Sequence, residues 1–231
     1  IKLQSRIRKE FLNYVSEGGM PKAVIEGERR ILQETYENIL YRDIIKRFNK
    51  NMEKPIKEIS LYLISNIAKE LSVRNIAKTM DIKNVSTVKS ILETFEKSFL
   101  FFFISRFDFS LRKQLQNPKK VYCIDNGFIE TGGFRFSPDK GKMLENIIFL
   151  ELKRKEREIY YFSEQGECDF VVKEGIEVKE AIQVCYNLTE ENRERELKGL
   201  LKALEKTKAK KGMILTYDQE ERIKIENREV K

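Results

Sequence analysis

The sequence contains no histidine and no tryptophan among its 231 residues. The missing imidazole excludes Ser-His-Asp and Cys-His catalysis, and it excludes every zinc site that uses a histidine ligand. Any acid–base chemistry must therefore come from carboxylates, lysine or tyrosine.

Cysteine is scarce, and its spacing is uninformative for metal binding. The three cysteines, Cys123, Cys168 and Cys185, form no CxxC pair. Neither a disulfide scaffold nor a structural zinc site is built from such a set. We expect three free thiols and a reducing, cytoplasmic compartment.

Long hydrophobic runs are also absent. The richest run, SFLFFFI at residues 98–104, is far shorter than the roughly 18 residues that a membrane-spanning helix needs. It favours a buried strand, and no membrane partner is expected. The opening residues are too charged for a signal peptide, and the start at Ile1 instead of Met predicts further sequence upstream.

What the chain has in abundance is charge. It carries 45 Lys and Arg against 37 Asp and Glu, a net charge of +8, with 41% hydrophobic residues. This composition supports one or two folded domains. The positive excess favours a polyanionic partner such as DNA.

The first predicted module, residues 1–52, is helical. Apolar residues recur at helical spacing from residue 3 to about residue 48, interrupted by GGMP at 18–21. The polar stretch NKNMEKP at 49–55 marks its end. A new apolar period follows.

The second predicted module, residues 53–117, has the order of a winged helix-turn-helix. Helices are predicted at about 56–70, 73–80 and 87–98, with the turn DIKNVS before the last helix and a strand after it. Apolar residues form one face of the last helix. That leaves four candidate DNA contacts on its polar positions: Thr87, Lys89, Ser90 and Lys97. Because such helical cores also bind proteins, protein contact remains an alternative.

The third predicted module, residues 118–231, is α/β with a central mixed sheet. The predicted order is a strand ending at Asp125, a helix at 140–154, strands at 158–163, 167–173 and 176–186, a helix at 189–206 and a strand at 212–217. Helices both precede and follow the sheet. The whole chain is therefore a multidomain protein of α+β and α/β class.

Four residues of this module follow the order of a nuclease site. Glu145 lies on the first helix, Asp169 on the second strand, and Gln183 and Cys185 on the third strand. In such a site carboxylates hold Mg²⁺, which activates water, and a lysine stabilises charge. Here an amide replaces one carboxylate and a thiol replaces the lysine, so the catalytic set is degraded. The alternative for Glu145 is an ordinary surface carboxylate.

Other candidates are weaker. Glu177 and Lys179 spell ExK, but they lie beside the predicted hairpin apex at 173–175, where a solvated strand face is the alternative. Asp125 is expected to cap a turn. The lysines and arginines after residues 152 and 201 either attract phosphate or form solvated surfaces. GKM at 141–143 lacks the remainder of a Walker motif.

Seven ordered blocks resemble the region that follows the P-loop module in archaeal-type AAA ATPases. They are GGMP at 18–21, ILYRDIIKRF at 39–48, SVRNIAKTMDI with STVK at 72–89, KKVYCIDNGF at 119–128, GKMLENIIFLEL at 141–152, ECDFVV at 167–172, and IQVCYNL at 182–188 followed by RERE at 193–196. The resemblance covers nearly the whole chain.

This resemblance implies a parent protein that hydrolyses ATP through an upstream module, of which residues 1 to about 50 form the lid-side end. It also implies a PD-(D/E)xK restriction-endonuclease-like domain, in which Glu145 and Asp169 map to metal ligands of a magnesium site. Gln183 and Cys185 stand at the Glu and Lys positions. The leading hypothesis is a DNA- or partner-binding region, with a metal-dependent DNA nuclease and a protein-interaction scaffold as alternatives. Association of the chain with itself is a further expectation.

Overall fold

The computed structural model describes residues 2–132, 139–221, 223–225 and 228–230. The chain forms two compact units. Unit 1 consists of Ile1–Phe103 and Val121–Met143, and unit 2 consists of Ile104–Lys120 and Leu144–Lys231. This grouping by contacts does not test the three predicted modules, which remain a prediction.

Unit 1 begins with helices. They are α1 (Lys2–Glu17), α2 (Pro21–Glu26) and α3 (Arg29–Asn38), followed by a π-helical turn at Ile39–Ile44 and 3-10 turns at Ile45–Arg47 and Lys50–Met52. Gly18 ends α1 with φ of +83°, a conformation that glycine adopts without strain. Pro21 starts α2 in the first turn, where its missing N–H costs no hydrogen bond.

Three further helices with short strands make up most of the remaining part of unit 1. Their order is α4 (Glu53–Ser65), β1 (Glu70–Leu71), α5 (Val73–Thr79), α6 (Val85–Lys97) and β2 (Phe101–Arg106). Asn84 caps α6, because its side chain accepts a hydrogen bond from the Ser86 N–H at 2.9 Å. Asp81 has φ of +50° in the turn before it, a left-handed conformation that aspartate tolerates better than most residues.

Strand β3 (Lys119–Cys123), whose first two residues belong to unit 2, and helix α8 (Asn126–Gly132) complete the description of unit 1. The strand order is β1-β3-β2. Between β3 and α8, Asp125 accepts hydrogen bonds from the N–H groups of Gly127 at 2.7 Å and Gly19 at 2.8 Å. The expected capping role of Asp125 is confirmed.

Unit 2 is a helix-flanked mixed sheet. Its elements are α7 (Leu111–Gln116), α9 (Lys140–Arg154, which starts in unit 1), β4 (Glu158–Ser163), β5 (Glu167–Glu174), β6 (Glu177–Val184), α10 (Glu190–Thr207), β7 (Lys211–Leu215), β8 (Ile223–Ile225) and β9 (Arg228–Val230). The strand order is β2-β4-β5-β6-β7-β9-β8. The β4-β5-β6 meander is antiparallel, whereas β2 with β4 and β6 with β7 are parallel. The predicted mixed α/β class is confirmed.

Helix α10 packs against this sheet at very short range. Leu200, Ala203 and Leu204 join a buried apolar cluster with Cys168 and other sheet residues. A Cβ atom at Gly199 would lie 2.0 Å from the Glu167 carbonyl oxygen. A glycine is therefore required where the helix crosses β5.

Most predicted elements correspond closely to those observed, although the helix predicted at about 56–70 is α4, which ends at Ser65. Helices α5, α6, α9 and α10 and strands β4 to β7 lie within two or three residues of their predicted bounds. Helices α7 and α8 and strands β1, β8 and β9 were not predicted. None of the helices within the described ranges is long and apolar enough to cross a membrane.

Candidate functional site

A lysine is buried at the centre of the candidate site. Lys120, on β3, is 1% exposed, although lysine is among the residues least often buried. A buried ammonium is stable only when it is paired and hydrogen-bonded. The charge of Lys120 is therefore stable only if the groups around it pair with it.

Three carboxylates from two elements of unit 2 surround this ammonium. Lys120 Nζ lies 2.7 Å from Glu167 Oε1, 2.9 Å from Asp169 Oδ1 and 3.3 Å from Glu145 Oε1. Glu145 and Asp169 are buried, whereas the Glu167 side chain is 56% exposed. We call these four residues the lysine cluster.

Local geometry places each acid of the lysine cluster. Helix α9 supplies Glu145, while Glu167 and Asp169 lie two residues apart on β5. Since side chains alternate along a strand, residues at this spacing share one face of the sheet. Two acids from a strand and one from a helix thus converge on one atom.

Backbone and amide groups hold Asp169 in place. Its Oδ2 accepts a hydrogen bond from the Val184 N–H at 2.9 Å, and its own N–H donates to Gln183 Oε1 at 3.2 Å. The Gln183 Nε2 donates to Glu196 Oε2 at 2.6 Å, and Arg195 forms an ion pair with Glu196. The Gln183 amide therefore uses its oxygen and its nitrogen to join β5 to α10.

Burial dominates the titration of Asp169. Desolvation raises the pKa of its carboxyl above the usual range, while Lys120 and the Val184 N–H act in the opposite direction. The site is therefore an environment in which an additional unpaired negative charge would be costly.

A divalent metal does not fit the residues as they stand. Lys120 Nζ occupies the point that Glu145 and Asp169 share, and Mg²⁺ or Ca²⁺ would need oxygen ligands at about 2.0–2.6 Å around that point. The oxygen of Gln183 already accepts a hydrogen bond from the backbone. In the described part of the chain, no group of three or more Asp, Glu or Cys residues could hold a metal ion.

Of the four predicted site residues, three lie in one network and one lies beside it. Glu145, Asp169 and Gln183 are linked as described, whereas Cys185 Sγ contacts the Asn187 carbonyl oxygen at 3.0 Å and Asn192 Nδ2 at 3.5 Å. Burial raises the pKa of the Cys185 thiol. Cys185, which stands at the lysine position of the nuclease pattern, is a thiol and thus provides no positive charge to the lysine cluster.

Sequence reasoning missed Lys120, Glu167 and Glu196. The spacing of Glu167 and Asp169 was a usable signal, because alternation along a strand puts them on one face. Glu196 lies within RERE at 193–196, part of the blocks that resemble archaeal-type AAA ATPases. Lys120 had no local signal, since its burial depends on partners 25 to 49 residues away.

The alternative ExK register lies on a solvated surface. Glu177 Oε2 pairs with Lys179 Nζ at 2.6 Å and with Lys210 Nζ at 2.8 Å. Hydrogen bonds from these two lysines lower the pKa of Glu177 to about 2. Both residues form ion pairs with residues outside the lysine cluster.

Helix α6 of unit 1 exposes the polar face that the sequence indicated. Val88, Ile91 and Phe95 are fully buried. On the same helix Lys89, Ser90 and Lys97 are exposed, and Thr87 is half-buried. Within the ranges that the structure covers, neither Lys89 nor Lys97 is engaged in an ion pair, whereas the basic residues after α9, including Lys155 and Arg157, pair with acids.

Comparisons with known proteins place this chain among uncharacterised relatives. Residues 8–132 match the family described as "Domain of unknown function (DUF8612)". The chain belongs to this family. Residues 140–231 match a second family, described as "Domain of unknown function (DUF4143)", which is found in C-terminal regions associated with AAA ATPases.

An uncharacterised protein of Methanocaldococcus jannaschii is 34% identical over 250 aligned residues. The alignment covers 99% of this chain but 55% of the relative, so the chain spans about half of that protein. No solved structure matches the chain. Lys120 lies in the DUF8612 match, and the three acids around it lie in the DUF4143 match.

Proposed function

We propose that this chain is the DNA-binding region of an AAA-type ATPase, coupling DNA engagement to an ATPase module upstream. In this proposal α4, α5, α6 and the following strand act as a winged helix. The nuclease-like part of unit 2 serves binding and not cleavage. ATP would be bound by the upstream module, outside this sequence.

The observation that carries the DNA proposal is the division of α6 into two faces. Val88, Ile91 and Phe95 are buried, so the helix cannot rotate without exposing its core residues. The orientation of α6 is therefore fixed, and Lys89 and Lys97 lie on its exposed face. Exposed lysines on a basic protein are suited to phosphate contacts, which position a protein on DNA. The net charge of +8 supports the same partner.

The lysine cluster supports a non-cleaving role for unit 2. Metal-dependent phosphodiester hydrolysis needs carboxylates that are available to the ion. Here the acids at the predicted metal positions, Glu145 and Asp169, both pair with Lys120. The amide at Gln183 and the thiol at Cys185 bring no compensating charge.

DNA binding is tested by fluorescence anisotropy with duplex, branched and single-stranded DNA at two salt concentrations. Binding should weaken as salt rises, because bound lysines release counterions from DNA. Lys89→Ala and Lys97→Ala should each weaken binding for all sequences and reduce the salt slope by about 1. Lys22→Ala, an exposed lysine of α2, removes the same charge and should leave affinity unchanged.

Two results would replace this proposal. Absence of binding to every DNA form, together with a protein partner in pull-downs, would favour an interaction scaffold. Nicking of DNA that requires Mg²⁺ and is abolished by Asp169→Ala would favour the nuclease alternative.

A further inference from the structure

The lysine cluster has the composition of a metal site with an ammonium at its centre. An ammonium has three N–H donors, and three carboxylate oxygens lie within 2.7–3.3 Å of Lys120 Nζ. The Tyr161 ring lies on another side, with its centroid 5.7 Å from the nitrogen. The cation is therefore surrounded by carboxylate oxygens and an aromatic ring.

We propose that the Lys120 ammonium is the resident cation of this site and that it excludes divalent metal ions. Removal of the ammonium would leave three acids around one point, two of them buried, and one of these two, Asp169, held by the Val184 N–H. Carboxylate oxygens are the ligands that Mg²⁺ and Mn²⁺ prefer. The Lys120 ammonium thus occupies the position among the three carboxylates that a divalent ion would need.

Access to the cluster is available on one side. The Glu167 side chain is 56% exposed while that of Lys120 is 1% exposed, so an ion could enter past Glu167 once the lysine side chain is gone. Glu145 and Asp169 would remain on their elements, because α9 holds the first and the Val184 N–H holds the second. A small residue at position 120 would therefore create a cavity lined by acids.

This inference rests on the proposed function in one respect, namely that unit 2 does not cleave DNA. It explains the lack of cleavage by the Lys120 ammonium, which takes the place of a metal ion. It does not depend on DNA binding. The metal experiment below and the DNA experiment above can therefore fail independently.

The test is a Mn²⁺ titration of the full chain, followed by electron paramagnetic resonance and by thermal unfolding. The wild type should bind no Mn²⁺ that depends on Asp169, and its Tm should be the same in Mn²⁺ and in EDTA. Lys120→Ala should unfold at a lower temperature in EDTA, because buried acids lose their partner. Its Tm should rise with the Mn²⁺ concentration, since a ligand of the folded state stabilises it.

Matched variants isolate the site. Lys120→Ala/Asp169→Asn should lose most of the Mn²⁺ binding gained by Lys120→Ala. Lys206→Ala removes an exposed lysine of α10 and should behave like the wild type. If Lys120→Ala is unfolded in EDTA, recovery of the far-ultraviolet circular dichroism signal on adding Mn²⁺ is the expected result.

Three outcomes would overturn the proposal. The first is Mn²⁺ binding by the wild type that Asp169→Asn removes. The second is a folded Lys120→Ala variant that binds no Mn²⁺. The third is an unfolded Lys120→Ala variant that Mn²⁺ does not restore. DNA binding by the wild type would be unaffected by any of them.

Discussion

At the scale of single residues, the network around Asp169 depends on one neutral side chain. Gln183 donates to Glu196 and accepts from the Asp169 N–H. A carboxylate at position 183 could still accept the hydrogen bond from the Asp169 N–H, but it could not donate one to Glu196. The amide that departs from the nuclease pattern is thus the residue that this arrangement requires.

Gln183→Glu is therefore expected to destabilise the protein, although it restores the residue of an active nuclease. The new carboxylate would face Glu196, and loss of a buried donor costs about 1–3 kcal/mol. Urea unfolding at neutral pH measures this change. The loss should shrink as the pH falls, because a proton shared between two carboxyls relieves their repulsion.

The double variant Gln183→Glu/Glu196→Gln is the control for this prediction. In this variant the amide is at position 196 and the carboxylate at position 183, so the hydrogen bond between them can form again in the opposite direction. The double variant should recover most of the lost stability. A single variant as stable as the wild type at neutral pH would contradict the assigned contact.

At the scale of elements, periodicity predicted most of the fold. The apolar stripe at Val88, Ile91 and Phe95 identified α6, and the alternating or buried runs identified β4 to β7. Short elements such as α7 and β1 were not recognised, because six or two residues are too few for a period to be visible.

The candidate site was predicted in part for a related reason. Glu145 and Asp169 were found because their elements follow a recognisable order. Lys120 was not found, because a lysine in a strand is usually exposed and its sequence neighbours give no sign of a distant acid. Local pattern thus located the acids but not the cation between them.

Gly199→Ala provides a test of the packing between α10 and β5. In an exposed helix, alanine would stabilise relative to glycine. Here the added methyl group would overlap the Glu167 carbonyl oxygen, at 2.0 Å. Overpacking of this kind costs about 1–3 kcal/mol, so the urea midpoint should fall.

Lys198→Ala is the matched control, because Lys198 is the exposed neighbour of Gly199 on the same helix. Its urea midpoint should stay close to that of the wild type. A Gly199→Ala variant more stable than the wild type would show that α10 does not lie this close to β5.

At the scale of the whole molecule, each compact unit is built from separated stretches of sequence. Unit 1 takes residues from both sides of the segment Ile104–Lys120. Val121, Tyr122 and Phe128 follow that segment, belong to unit 1 and are fully buried. Within unit 1, the Phe128 ring lies 5.7 Å from that of Tyr36, and the Val121 carbonyl accepts a hydrogen bond from the Ala68 N–H at 2.8 Å. The core of unit 1 therefore depends on residues beyond position 117.

A fragment of residues 1–117 is accordingly expected not to fold stably, whereas residues 1–143 include all of unit 1. Loss of large buried side chains such as Tyr122 and Phe128 costs about 3–5 kcal/mol each, a large part of the stability of a typical domain. Amide dispersion in two-dimensional NMR distinguishes the two fragments. A well-dispersed spectrum from residues 1–117 would contradict this expectation.

The interleaved sequence of the two units also constrains biosynthesis. During translation, unit 1 lacks β3 and α8 until they leave the ribosomal exit tunnel, so the helices made first must wait with part of their apolar surface uncovered. Residues 104–120 emerge within that interval, long before the strands that they join. Nascent chains of this protein should therefore be more dependent on chaperones than those of a protein whose domains follow one another in sequence.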